Sequence, residues 1–278
     1  MIGDGGLSDG RAALFDGTRP LKRWRYVGVF SEQIAACAAL VSIGPLRQSF
    51  WALHLRGENV ERERTRLVPR RRELLLAGGP GTPAGEGGRL VLRDRGVLLD
   101  LELAEDDGFQ ALCPNGRSRV WTRKQAGIAA RGTLALDGGA ARPIEARAVI
   151  DDTAGYHARE TEWWWSAGVG EASDGTPLAW NLVSGVNDPP SGSERAVWVD
   201  GVPSEAPPVE FAADLASMRC EDGSLLRFRA ESERARRDEL LLLASDYRAP
   251  FGSFGGELPG GVGLARGFGV VEHHRARW

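Results

Sequence analysis

A histidine, an arginine and three consecutive tryptophans stand close together in the stretch Asp151 to Val169, Asp-Asp-Thr-Ala-Gly-Tyr-His-Ala-Arg-Glu-Thr-Glu-Trp-Trp-Trp-Ser-Ala-Gly-Val. Its centre is rich in aromatics and Thr and is bounded by Gly, which reads as a strand. Alternation then puts His157, Arg159, Thr161, Trp163 and Trp165 on one face, with Tyr156, Glu160, Glu162 and Trp164 on the other. An imidazole and a guanidinium in line with two indoles suit a cavity wall where a proton moves and a cation is steadied. The same pattern also fits a half-buried strand whose tryptophans pack a core and whose charges are paired or solvated.

A second group lies in Gly267 to His274. Glu272 and His274 share a strand face, and a carboxylate beside an imidazole fixes its tautomer and raises its proton affinity. His273 and His274 are adjacent, so they point to opposite faces and cannot readily hold one metal together. Glu194 shares a face with Ala196, Trp198 and Asp200, and Asn181 lies opposite Trp180. Asp246 and Tyr247 precede the bend at Pro250-Phe251-Gly252. Polar groups embedded in tryptophan-rich strands match the usual form of a small-molecule site, an apolar cavity with a few convergent polar groups. His54, alone on an apolar strand, reads as a satisfied core residue.

Other chemistries lack their signatures. The sequence has no Gly-x-Gly-x-x-Gly between strand and helix, no phosphate loop, no Gly-x-Ser-x-Gly elbow and no His-Glu-x-x-His. No cofactor and no metal are expected. Cys37, Cys113 and Cys220 are odd in number and have no zinc spacing, so a reducing cytoplasm is the expected setting. The net charge of -3 leaves no electrostatic footprint for nucleic acid. Arginine far outnumbers lysine, which reads as compositional bias. No apolar run is long enough for a membrane helix, and residues 1–10 do not read as a signal peptide.

The elements that must position these residues are short strands. Alternating or apolar runs end in turn residues at Arg23–Phe30, Ile34–Ile43, Phe50–Leu55, Val97–Leu103, Arg117–Lys124, Arg131–Leu136, Ile144–Ile150, Leu178–Val183, Glu194–Val199 and Gly267–His274. Asp200-Gly201 is a strong hairpin signal. Glu61–Arg72 reads as a solvated strand or loop, and Gly78–Gly88 as a Gly/Pro loop. Leu240–Ala244 reads as a buried run, and Phe251–Gly263 as a candidate lid. Glu231–Leu243, with Arg and Glu at helical spacing, is the one plausible helix. The count of strands points to an all-β sandwich or barrel.

Six blocks carry a resemblance. They are Asp151-Asp152-Thr-Ala-Gly-Tyr-His-x-Arg; Trp163-x-Trp165-Ser-x-Gly-Val-Gly; Trp180-Asn181-Leu-Val-x-Gly-Val-Asn-Asp; Ser193-Glu194-Arg-x-Val-Trp-Val-Asp-Gly; Ser245-Asp246-Tyr247-Arg-x-Pro-Phe-Gly-x-Phe-x-Gly; and Gly269-Val-x-Glu272-x-His274-x-x-Trp278. The series resembles the bacterial family called domain of unknown function 2804. More distantly it is similar to the calycin group with two lipocalin-like antiparallel β-barrels in one chain, which includes carotenoid 1,2-hydratases and tocopherol cyclases. The resemblance implies an N-terminal domain over 1–142 and a C-terminal one over 143–278. It also implies non-redox chemistry on a greasy substrate, with His157 and Trp163 matching the acid-bearing strand; Asn181 stands where an acidic partner is sought.

The residues predict a hydrophobic small-molecule site, and the resemblance implies an isoprenoid, polyene or lipid-like molecule there and a cofactor-free isomerase, cyclase or hydratase. His157, Arg159, Glu194, Glu272 and His274 are the candidate catalytic residues. Tyr156, Trp163, Trp165, Trp180, Asn181, Trp198, Asp246, Tyr247 and Phe251 are the candidate substrate contacts. A lipid or terpenoid carrier and a carbohydrate-binding β-protein are the other readings. Oligomeric state is open.

Overall fold

Pleating decides how this chain folds: nearly every segment alternates, and each strand must bury one face. The computed structural model describes residues 4–58, 60–80, 87–240 and 243–277, and among these it holds strands and turns but no helix. A small pair, β1 (Phe15–Asp16) and β2 (Arg19–Pro20), comes first. The first sheet contains β3 (Lys22–Phe30), β4 (Ile34–Ile43), β5 (Leu46–Leu55), β6 (Val60–Arg66), β7 (Leu74–Ala77), β8 (Gly88–Asp94), β9 (Val97–Leu103), β10 (Phe109–Asn115), β11 (Ser118–Leu136) and β12 (Arg142–Gly155). Its order is β6-β5-β4-β3-β12-β11-β9-β8-β7, with β10 also paired to β11.

The second sheet contains β13 (Glu160–Glu171), β14 (Pro177–Ser184), β15 (Ala196–Val199), β16 (Val202–Glu205), β17 (Val209–Phe211), β18 (Ser217–Cys220), β19 (Leu225–Leu240), β20 (Leu243–Leu258) and β21 (Val262–Arg277). Its order is β16-β15-β14-β13-β21-β20-β19-β18-β17. Both sheets are antiparallel and both curl, so that β7 comes against β4 and β17 against β14. Each is a half-barrel around its own apolar interior. Asp200 and Gly201, both at positive φ, make the two-residue turn from β15 to β16 that their sequence predicts.

Three cores follow from alternation. Val27, Val29, Leu53, Leu99 and Leu101 fill the first half-barrel. Trp180, Leu182, Leu226, Phe228 and Phe254 fill the second. The opposite faces of β3, β12, β13, β20 and β21 meet between the sheets, burying Tyr26, Phe30, Trp165, Ala167, Phe251 and Val270. Tyr26 and Trp165 sit edge to face at 5.3 Å, and burial of each ring contributes about 2–3 kcal/mol. Gly168 lets Trp180 lie against its backbone: a Cβ there would fall 2.3 Å from the indole.

Several expectations change. Of the helix expected over Glu231–Leu243, residues 231–240 are instead the end of β19, because Arg234, Arg236 and Asp238 alternate at period two and the strand pairs with β20, while 241–242 lie outside the described residues. The two strands expected in 117–136 are one strand, β11, bulged at Gly127. The lid expected over Phe251–Gly263 is the paired end of β20 and the turn into β21. The stretch 151–169 is not one strand. Asp151 to Gly155 ends β12 in the first sheet, Tyr156 to Arg159 crosses over, and β13 begins the second sheet at Glu160. The expected division at 142/143 thus coincides with the start of β12, whose partners are β3 and β11. Parts of the Gly78–Gly88 loop and the 240–244 run, and Trp278, lie outside the described residues.

Candidate functional site

At one end of the inter-sheet core the packing opens into a cavity of about 400 Å³. The large rings of Trp24, Tyr26, Phe50, Trp163 and Trp165 stand around it, but Ala39, Val41, Val183, Val186 and Ala244 are too small to close the space between them. The lining is mostly apolar, and its polar groups collect in two places.

The first polar pole is built by the first sheet and two loops. Register sets Tyr26, Asp151 and Lys124 side by side across β3, β12 and β11. The bulge at Gly127, with φ of +82°, reverses the facing of β11. Residues such as Lys124 and Ala126 before it face the second sheet, while Ala130 and Leu134 after it face the first interior. Lys124 lies 2.6 Å from Asp151 and 3.3 Å from Glu194. Burial lowers its proton affinity, but these two carboxylates more than offset that and raise it. Asp151 also accepts from Trp24 Nε1 at 2.9 Å and from Thr153 Oγ1 at 2.8 Å. Glu194 accepts from Asn187 Nδ2 at 3.1 Å; burial raises its carboxyl to about 6, with Lys124 opposing. His157, on the crossover, packs against Trp24 with ring centroids 5.3 Å apart and the planes tilted by 34°. Burial, helped by Lys22 and Lys124, lowers its pKa to about 3, so it is neutral at physiological pH.

The second pole belongs to the second sheet. Trp163 is paired with His274, and His274 with Tyr247; Trp165 is paired with Glu272. Glu272 accepts from the Trp163 indole at 2.8 Å, and burial pushes its carboxyl up to about 7. His274 lies 4.3 Å from the Trp163 ring, shares a 2.8 Å hydrogen bond with Ser245 Oγ and has Nδ1 3.9 Å from Glu272. Burial first, then His273 and Arg234, lowers its pKa to about 3. Arg234 spreads over Phe50 at 4.2 Å and Tyr247 at 4.9 Å and donates to Thr65 Oγ1 at 2.7 Å. The bulge near Ala230 in β19 turns it out of the second interior, where Leu226 and Phe228 point, and into this cavity.

Seven of the candidate residues from the sequence therefore line one cavity: His157, Glu194, Glu272, His274, Trp163, Trp165 and Tyr247. Asn181 stands behind them, accepting from Trp165 Nε1 at 2.8 Å and donating to the Glu194 carbonyl at 2.8 Å. The others lie elsewhere. Arg159 and Asp246 are exposed. Tyr156 packs beside Leu7 and Leu21 and donates to the Ala13 carbonyl. Trp180 is inside the second half-barrel and donates to Ser166 Oγ at 3.0 Å. Trp198 meets Phe109, and Phe251 meets Phe30, deeper in the inter-sheet core. His54 is half-buried beside Glu61 across β5 and β6, with Nδ1 3.4 Å from its carboxylate.

Lys124, Asp151, Trp24, Tyr26, Asn187 and Arg234 complete the lining or its charge network without having been singled out for it. One signal that alternation does not carry sets Lys124 apart. The chain has only two lysines, Lys22 and Lys124, against an abundance of arginine, and both are almost wholly buried. A second depression, of about 430 Å³, lies at the other end of the interface between Phe30 and Phe268. Its rim charges pair among themselves, Arg266 with Glu171 and Glu32.

Two curled antiparallel sheets facing each other across an apolar cavity define an all-β fold of two lipocalin-like half-barrels. The chain belongs to the family described as Domain of unknown function (DUF2804), whose model matches residues 87–278. No protein of curated function matches it in sequence. Among solved structures it is similar to an AttH-like protein from Nitrosomonas europaea, at 13% identity and a TM-score of 0.56 over 96% of this chain and 94% of that one. It is similar to kievitone hydratase from Nectria haematococca at 12% identity and 0.54, over 91% and 88%, and to CghA at 10% and 0.55, over 99% and 97%. Identities this low carry the fold alone.

Proposed function

We propose that the inter-sheet cavity binds a largely apolar small molecule, of isoprenoid, polyene or lipid-like character, and that Glu272 moves a proton to or from it. The reaction class is non-redox: isomerisation, cyclisation or hydration. The observation that carries this reading is the Glu272 carboxyl, buried against the cavity, held by the Trp163 indole and raised to about 7. A carboxyl near neutrality is protonated often enough to donate and ionised often enough to accept. His157 and His274 are held neutral, so they serve as hydrogen-bonding partners, and the proton falls to Glu272. The faces of Trp163 and Trp165 would steady positive charge developing on the substrate. That one structural neighbour is a hydratase agrees with this class. The indoles turn inward to a cavity between sheets, which weighs against an open sugar-stacking platform.

The test is incubation of an apolar metabolite extract from the source organism with wild type and Glu272→Gln, followed by mass spectrometry. The expected result is a product isomeric with its precursor or differing by one water, and a rate loss of about 100-fold or more in the variant. Full turnover by Glu272→Gln would remove the proton assignment. A ligand retained unchanged by both proteins would make the chain a carrier.

A further inference from the structure

The cavity reaches the surface past Leu46 and Leu67, which line it and are 57% and 60% exposed. Three segments meet at this mouth. Arg66, the last residue of β6, pairs with Ser49, so Leu67 and Val68 run on towards the turn from β4 to β5. That turn, at Gly44 and Pro45, is tied to the N-terminal segment. Gly44 N donates to the Leu21 carbonyl, Leu21 N donates to the Leu14 carbonyl, and a Cβ on Gly44 would lie 3.3 Å from the Phe15 ring. Leu14, Phe15, Leu46, Leu67 and Val68 are five of the eight large hydrophobic side chains exposed among the described residues, Val68 by 78%. Exposed apolar side chains scattered singly are ordinary, but a group around one opening marks an interaction surface.

Charge selects what covers it. Residues 43–47 and 66–73 hold five arginines, Arg47, Arg66, Arg70, Arg71 and Arg72, and one carboxylate, Glu73. Arg66 and Arg70 share Glu73. Arg47, Arg71 and Arg72 are exposed and have no carboxylate partner among the described residues. On the second-sheet side of the lining, Asp238 is taken up by Arg236 at 2.6 and 2.8 Å. Asp16, beside Phe15, is an exposed carboxylate, one against those three cations. We infer that this mouth docks on an anionic lipid bilayer. Phe15, Leu46, Leu67 and Val68 enter the boundary between headgroups and acyl chains, and Arg47, Arg71 and Arg72 pair with lipid phosphates. A globular partner or a second copy seated here would shut the cavity. A bilayer covers the same side chains and leaves an apolar path from the acyl chains to Trp163 and Glu272, a path that rests on the reading of the cavity as a small-molecule site.

The test is co-sedimentation of the full chain, without ligand, with vesicles of phosphatidylcholine alone and of phosphatidylcholine mixed with phosphatidylglycerol. Wild type is expected to bind the mixed vesicles at least about tenfold more tightly, and less so as salt rises. Arg71→Glu combined with Arg72→Glu should lose at least about tenfold of that binding, and Val68→Ser about fivefold on the mixed vesicles. Val202 supplies the control. It is 69% exposed but pairs with Val199, at the end of the second sheet where Pro177 meets Glu171, away from Trp163. Val202→Ser should bind as wild type does. A nitrobenzoxadiazole label on Val68→Cys should shift its emission to the blue on mixed vesicles, and the same label on Val202→Cys should not. Circular dichroism confirms that each variant is folded. Wild type that stays in the supernatant with both vesicles overturns the inference. So does binding that survives both the arginine reversal and Val68→Ser, or a label that shifts as much at Val202 as at Val68. A dimer that Val68→Ser dissolves, with no vesicle binding, gives the face to a second copy and overturns it too. All of these leave the small-molecule site standing. Uptake of the dye N-phenyl-1-naphthylamine by vesicle-free protein tests that site separately: its failure, with vesicle binding intact, removes the small-molecule reading and leaves the docking surface.

Discussion

Glu272→Gln should change how stability depends on pH, and the change can be worked out before any substrate is known. The wild-type carboxyl rises from an ordinary value of 4.5 to about 7 because it is buried. The folded state therefore holds its proton more tightly than the unfolded state. That contribution to stability is whole below 4.5 and drains away as pH rises toward 7, where the native carboxyl finally ionises. Glutamine keeps the shape and hydrogen-bonding capacity of the protonated acid and never ionises. Between about pH 5 and about pH 8 the variant should gain about 2–3 kcal/mol of stability relative to wild type, from linkage over the two pKa values. His157 and His274 act in the opposite sense: with native pKa values near 3, their contribution is present above 6.5 and is lost as pH falls. They are present in both proteins, so the difference curve isolates Glu272. Urea unfolding midpoints across this pH range, read by far-UV circular dichroism, supply the measurement. A difference curve that stays flat, or that slopes the other way, would refute a near-neutral buried Glu272 and the proton assignment built on it.

Lys124→Met should destabilise the fold by about 3–5 kcal/mol, because Asp151 and Glu194 are left as buried like charges; pairing it with Glu194→Gln should recover part of the loss in urea titrations. Trp163→Phe removes the indole that donates to the Glu272 carboxylate, so the Glu272 pKa should rise further, as followed by carbon NMR of the labelled side-chain carboxyl. Gly168→Ala should cost at least about 2 kcal/mol, since its Cβ would lie 2.3 Å from Trp180 and 2.7 Å from the Phe268 carbonyl oxygen; thermal unfolding reads this directly.

Strands were legible wherever polar and apolar residues alternated, and the family resemblance supplied the two-barrel arrangement. Glu272 and His274 were placed together by alternation, and both do face the cavity. Arg159 was linked to His157 by the same rule, but the chain leaves the sheet there, so counting by twos from Trp163 has no meaning across Tyr156 to Arg159. Lys124 and Arg234 were hidden for a related reason. Each lies near a bulge that reverses the facing of its strand, and one inserted residue is invisible in a period-two pattern. The stretch 231–240 reads as helical in sequence because alternating Arg, Asp and Glu on a long exposed strand edge also satisfies a helical spacing. Asn187 had only its place in a turn, which says nothing about the orientation of its amide.

The strand order also sets a timetable. Trp24 and Asp151 are 127 residues apart in sequence, and Trp163 and Glu272 are 109 apart. Each wall of the cavity is therefore closed by one of the most distant pairings in its sheet, β3 with β12 and β13 with β21. Loop-closure entropy opposes such pairings until intervening hairpins have shortened the effective distance. Local hairpins such as β15–β16 can zip early; the proton-bearing wall must wait. During refolding, far-UV signal should accordingly recover before the emission of Trp163 settles beside Glu272 and His274, which makes the cavity a late checkpoint, formed only by molecules whose sheets have closed in the correct register.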